Sequence, residues 1–141
     1  MADYTQIKEL MIDDVTMGME EGLGSGISAT KTITNFPTSW SWTEGASITL
    51  PPGVWVLRAQ ANFPNATTTG TNLFGIAIRT ASGDSFHNTF ANGDQRNSNI
   101  FTMGVVVPQT NIVFKVVAVS ARPMTGNQVY TSIGAYKLLK I

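Results

Sequence analysis

From Ile27 onward, apolar and polar residues alternate at period two. The clearest stretch sets Trp55, Leu57, Ala59, Ala61 and Phe63 against Val54, Val56, Arg58, Gln60 and Asn62. That is the pattern of a strand with one buried and one mixed face. Pro51-Pro52-Gly53 before it and Pro64-Asn65 after it are turn chemistry. The same reading predicts strands over 27–34, 46–50, 73–79, 100–107, 112–121 and 128–141, with at most a short one inside 85–90. In the last strand Val129, Thr131, Ile133 and Ala135 oppose Tyr130, Ser132, Gly134 and Tyr136. Loops fall at 67–70, 82–84, 108–111 and 123–127, and Asn92-Gly93 is a hairpin signal. About seven to nine strands without strand–helix alternation predict an all-β antiparallel sandwich or barrel. Strands of about ten residues, and the lack of a Cys–Trp–Cys core, favour a jelly roll over an immunoglobulin fold.

Residues 1–21 follow another rule. Ile7, Met11 and Val15 recur at i+4 beside Leu10, which marks two helical turns with one apolar stripe. Gly18 and Gly22-Leu23-Gly24-Ser25-Gly26 end any helix there. The chain therefore divides into a short helical or extended arm, 1–26, and a jelly-roll domain, 27–141. A helix so short is marginal alone and needs its own domain, sister subunits or a larger structure to dock on.

Composition sharpens this division. Only 13% of the 141 residues are charged, against 43% hydrophobic, so Thr, Ser, Asn, Gln and Gly must carry the polar surface. Net charge is zero, which gives no general case for nucleic acid or an acidic membrane. Six of the nine acids (Asp3, Glu9, Asp13, Asp14, Glu20, Glu21) lie in the first 21 residues with one base, Lys8. The segment is either an acidic attachment arm or a solvated helix face. No apolar run is long enough for membrane insertion, and the polar start lacks the form of a signal peptide.

Candidate chemistry is sparse. There is no Cys and one His, so no thiolate chemistry arises and no metal or cofactor is expected. Asp84-Ser85-Phe86-His87 has the residue types of a catalytic triad, but sequence neighbours on a turn do not converge as a triad must. The expectation is a protein that is not an enzyme. Asp84, Asn88, Asn92, Asp94, Asn97 and Asn99 leave a Ca²⁺ ion open, although Asn, Asp and Gly are also what turns require. The best candidate binding surface is the polar 84–99 stretch. There Phe86, His87, Asn88, Asn92, Asp94, Arg96 and Asn97 mix ring faces with hydrogen-bonding groups suited to sugars. Trp40 and Trp42 are a second candidate, or else fill the core or a subunit interface. Tyr130, Tyr136 and Phe114 are expected between subunits rather than at a ligand.

The segment Ile48-Thr-Leu-Pro-Pro-Gly-Val-Trp-Val-Leu57, the following Ala59–Phe63 and the final Ser132–Ile141 resemble jelly-roll domains related to complement C1q and tumour necrosis factor. Versions of that family are frequent on bacteriophage tail fibres and other phage structural proteins. The resemblance covers residues 45–141. It implies a ten-strand-like jelly roll that forms a homotrimer through one sheet face, with Val54, Val56, Val105 and Val107 as candidates for that face. It also implies loops that bind a host-surface glycan. Residues 1–26 would attach the domain to other virion proteins, and the protein would reach the virion from the host cytoplasm without a signal peptide. A long fibre shaft is absent, which leaves a capsid decoration or head-fibre protein, or a stand-alone lectin, as alternatives.

Overall fold

In the computed structural model, the structure describes residues 26–37, 40–64, 72–93, 98–121 and 127–139. They form eight strands: β1 (Gly26–Ile33), β2 (Thr43–Leu50), β3 (Val54–Phe63), β4 (Asn72–Thr80), β5 (Ser85–Gly93), β6 (Ser98–Val106), β7 (Ile112–Ser120) and β8 (Val129–Leu139). One sheet has the order β1-β8-β3-β6 and the other β2-β7-β4-β5, and every pairing is antiparallel. Within this order β1 pairs with β8, β2 with β7, β3 with β6 and β4 with β5. The chain is thus one long antiparallel ribbon, turned at β4–β5 and rolled into two facing sheets. This is a jelly roll, as the strand pattern implies, with eight described strands in place of a ten-strand form. The arm at 1–25 lies outside the described residues.

The core lies between the sheets. Trp55, Leu57, Phe63 and Ile133 from one sheet meet Phe74, Ile76, Ile78, Phe114 and Val116 from the other, all buried. Phe63 makes ring contacts with Phe74 at 5.0 Å and with Phe36 at 6.4 Å. Phe114, expected between subunits, is a core residue because β7 turns it inward, in step with Val116 and Ala118. Trp55 Nε1 donates to the Pro51 carbonyl at 3.0 Å, which ties the Pro-Pro-Gly turn to the strand that follows it.

Two expectations are corrected by the pairing. The 84–99 stretch is not one loop: Ser85–Gly93 is strand β5 along the edge of its sheet. Asn92-Gly93 makes no hairpin turn, since Leu73 pairs with Asn92 and Asn72 with Gly93. The physical reason is topological. An Asn-Gly hairpin needs its two flanking strands to pair with each other, whereas β5 and β6 belong to different sheets.

Each lateral edge of the sandwich is closed by one side chain lying over a glycine. At the β1/β2 edge, buried Thr131 accepts from the Ala46 amide at 2.9 Å and donates to the Lys31 carbonyl at 2.7 Å. One hydroxyl thereby links β8, β1 and β2 across the two sheets. A Cβ on Gly45 would overlap Thr131. At the β5/β6 edge the same relation holds between His87 and Gly104, where a Cβ would fall inside the imidazole. His87 has φ 49°, in the left-handed region, where β5 bulges between the Ile76–Thr89 and Ile78–Phe86 pairs. The bulge turns the ring off its own sheet and toward β6.

Candidate functional site

The described residues of the 84–99 stretch lie on either side of the bulge at His87. Phe86 is half-buried and packs toward the core, 6.1 Å from Phe114. His87 is exposed and occupied with Gly104. Asn88 accepts from Ser85 Oγ at 2.9 Å, and Asp84 accepts from Ser82 Oγ at 3.0 Å in the β4–β5 turn. Asn92 ends β5 in a ladder pair with Leu73, while Asp94, Arg96 and Asn97 lie outside the described residues. Asn99 belongs to the other sheet, where it accepts from Asn62 Nδ2 at 2.9 Å. Of the oxygen-bearing residues considered for Ca²⁺, the described Asp84, Asn88 and Asn99 lie in the β4–β5 turn, on β5 and on the second sheet.

Trp40 and Trp42 are brought together, with a third ring that the sequence reading did not single out. Trp40 stacks on Phe90 with centroids 6.1 Å apart and planes 20° from parallel. Trp42 meets Phe90 at 5.9 Å and Trp40 at 6.3 Å, both edge to face. The cluster sits on the outer face of the β2-β7-β4-β5 sheet. Phe90 lies over Gly75, where any Cβ would overlap the ring, and Gly75 alternates with core-facing Phe74 and Ile76. Arg79, on the same outward side of β4, places its guanidinium 4.8 Å from the Trp42 ring. Its Nε is buried with no hydrogen-bond partner among the described residues. Ala77, Val117 and Val119 also face outward by alternation, yet they are 0%, 2% and 0% exposed. They are a second, smaller buried apolar patch on the outer side of the sheet, with Val119 paired to the Gly75 that underlies Phe90. Trp40 and Phe90 remain 45% and 49% exposed.

The outer face of the opposite sheet is different. Its cross-strand rows read Gly26–Tyr136–Val56–Val105, Ser28–Gly134–Arg58–Met103, Thr30–Ser132–Gln60–Phe101 and Thr32–Tyr130–Asn62–Asn99. Phe101, Met103, Val105, Tyr130 and Tyr136 are exposed there, with Val107 and Leu138 beyond the first row, next to Val105 and Tyr136. The large residues of β6 form a ridge. Beside it, the small residues of β1 and β8 leave a trough of about 610 Å³ centred on Gly134. Arg58 is the only charged side chain in these rows, and its guanidinium lies 5.6 Å from the Phe101 ring. Val56 and Val105 are direct cross-strand partners, as a shared face requires.

No family model and no curated protein matches the chain. Among solved structures, it is similar to the globular domain of zebrafish complement 1qA protein, with 10% identity and a TM-score of 0.48. That match covers 82% of this chain and 98% of the other. It is also similar to the infectious bursal disease virus Gx strain structure, with 12% identity, a TM-score of 0.47 and 80% of this chain covered. The VP2 subviral particle of infectious bursal disease virus gives 10% identity, a TM-score of 0.47 and 80% coverage. The chain spans about a third of the length of the viral chains it matches, 34% and 33%.

Proposed function

We propose that the chain is a structural protein of a bacteriophage virion. In this reading it is a jelly roll that assembles as a homotrimer through the outer face of β1-β8-β3-β6 and turns its other sheet toward a glycan on the host surface. The observation that carries the assembly reading is the uneven face itself. A row of exposed Phe101, Met103 and Val105 stands beside a trough of glycine and serine. Withdrawing an apolar side chain of that size from water contributes about 1.5–3 kcal/mol, and an apolar face of this breadth is a mark of an interface. Ridge and trough lie side by side on one subunit, so the ridge of one copy fits the trough of the next. Such a contact is heterologous, and a rotation of one third of a turn per copy closes it into the proposed ring of three. A face with one charge, laid against its own aromatic neighbour, also presents little repulsion to a second copy. The virion assignment rests on the resemblance of 45–141 to phage structural jelly rolls, with the acidic 1–26 segment assigned to attachment.

Solution mass tests the assembly reading. The intact protein is expected at three times the 15.2 kDa of one chain. The double substitution Phe101→Ser, Met103→Asp is expected to reduce it to one chain while leaving the β-sheet circular dichroism unchanged. A wild-type monomer at micromolar concentration would refute trimer assembly, and so would a variant that keeps the wild-type mass.

A further inference from the structure

We infer that the aromatic cluster of Trp40, Trp42 and Phe90 is a sugar-binding platform that receives the apolar face of a neutral, β-linked hexopyranose. The inference rests on the host-surface half of the reading above and is independent of its assembly half.

The platform is built, not incidental. Gly75 lets Phe90 lie down on the sheet, and Trp40 stacks on Phe90 at 20° between planes. Trp42 braces both rings edge to face, and Arg79 holds Trp42 from the sheet side. Buried Val119 is the cross-strand partner of the Gly75 on which Phe90 rests. Rings held in this way lose little freedom when a ligand arrives, which is the physical basis of preorganisation. Yet the two outermost rings remain about half bare.

The surroundings select the occupant. The remainder of this sheet face carries Glu44 paired with Lys115, together with Ser47 and Thr49. The bare apolar area at this end of the face is the rings and neighbouring Leu73, with Val113 bare at the far end beside Thr49, so the patch at the rings is a footprint for a ring or two and not for a subunit. Among the described residues on this face both cations are engaged, Lys115 by Glu44 and Arg79 by Trp42. What the platform leaves bare is ring faces, which suits a neutral ligand. It is also open and covers one side of what it binds. An alkyl chain would leave its other side bare to water. A β-hexopyranose has one face of C–H groups and a rim of hydroxyls that stay hydrated, so a one-sided apolar surface matches it.

Titration of the intact protein with methyl β-D-galactopyranoside and methyl β-D-glucopyranoside, followed by tryptophan emission and ligand-observed NMR, tests the assignment. One sugar ring is expected to bind with a Kd on the order of 1 mM. Trp40→Ala and Phe90→Ala are each expected to weaken binding at least about tenfold. Both residues are half-exposed, so both variants are expected to stay folded with a fall in Tm of only a few degrees, and binding is compared well below it. The Phe101→Ser, Met103→Asp variant on the opposite sheet is expected to bind each sugar as the wild type does, whatever its mass, which separates failure of this inference from failure of trimer assembly. The assignment is overturned if neither glycoside binds at tens of millimolar, or if binding survives both aromatic substitutions. Binding of adenosine monophosphate in preference to both glycosides would overturn it in favour of base stacking.

Discussion

Replacing Thr131 by valine removes one hydroxyl and almost no volume, so the packing of β8 against the core is retained. What is lost is the link between the sheets. The Ala46 amide, buried and bonded to Thr131 Oγ1 at 2.9 Å, is left without its acceptor, and the Lys31 carbonyl loses a 2.7 Å donor. A buried group stripped of its partner costs about 1–3 kcal/mol. The Lys31 carbonyl lies on edge strand β1, where water can replace part of the lost bond. The sum is about 2–3 kcal/mol, or a fall in Tm of roughly 6–15 °C for a chain of this size. Thr131→Ser keeps both hydrogen bonds and loses one methyl, about 1 kcal/mol. Melting at matched protein concentration compares the two, because assembly makes Tm concentration-dependent. Hydrogen exchange at the Ala46 amide gives a local readout, expected to speed up in the valine variant alone. If the valine protein melts with the wild type, or serine is as damaging as valine, the hydroxyl is not what closes this edge.

The opposite edge makes a coupled prediction. Gly104→Ala is expected to displace His87 and destabilise by about 1–3 kcal/mol, and His87→Gly in the same chain is expected to recover most of that loss. A double-mutant cycle with strictly additive effects would show that the two residues do not share the edge. Trp55→Phe keeps a buried ring but strips the Pro51 carbonyl of its 3.0 Å donor. The expected loss is about 1–3 kcal/mol in a denaturant titration, and an unchanged midpoint would remove the tie between turn and strand.

Strand β3 was the most legible element, because alternation ran through ten residues with prolines at both ends. Strand β2 was foreseen only from Ala46. Its first residues are hidden by the bulge between Glu44 and Ser47, where Gly45 and Ala46 are both buried and period two fails. Strand β5 read as loop because an edge strand with solvent on its outer side needs few apolar residues, and its bulge breaks the alternation. The outer platform was half legible. The tryptophans stood out, but Phe90 acquires its role from Gly75 directly opposite, a relation that exists only once the register is known. One signal was present in sequence: Val116-Val117-Ala118-Val119 is an unbroken apolar run, which is how a strand covered on both faces reads. It marks a second layer over β7, though it does not say which residues supply it.

The position of β8 has a consequence for biogenesis. It is the last of the eight strands to leave the ribosome, and it lies in the interior of its sheet, between β1 and β3. Until it is inserted, β1 has no ladder partner and the trough lined by Gly134 does not exist. A chain interrupted before residue 129 can therefore fold part of the facing sheet, but it cannot offer a complete docking surface to its sisters. In the assembly proposed above, late central insertion would couple association to completion of β8, so that products lacking it would be excluded by geometry alone.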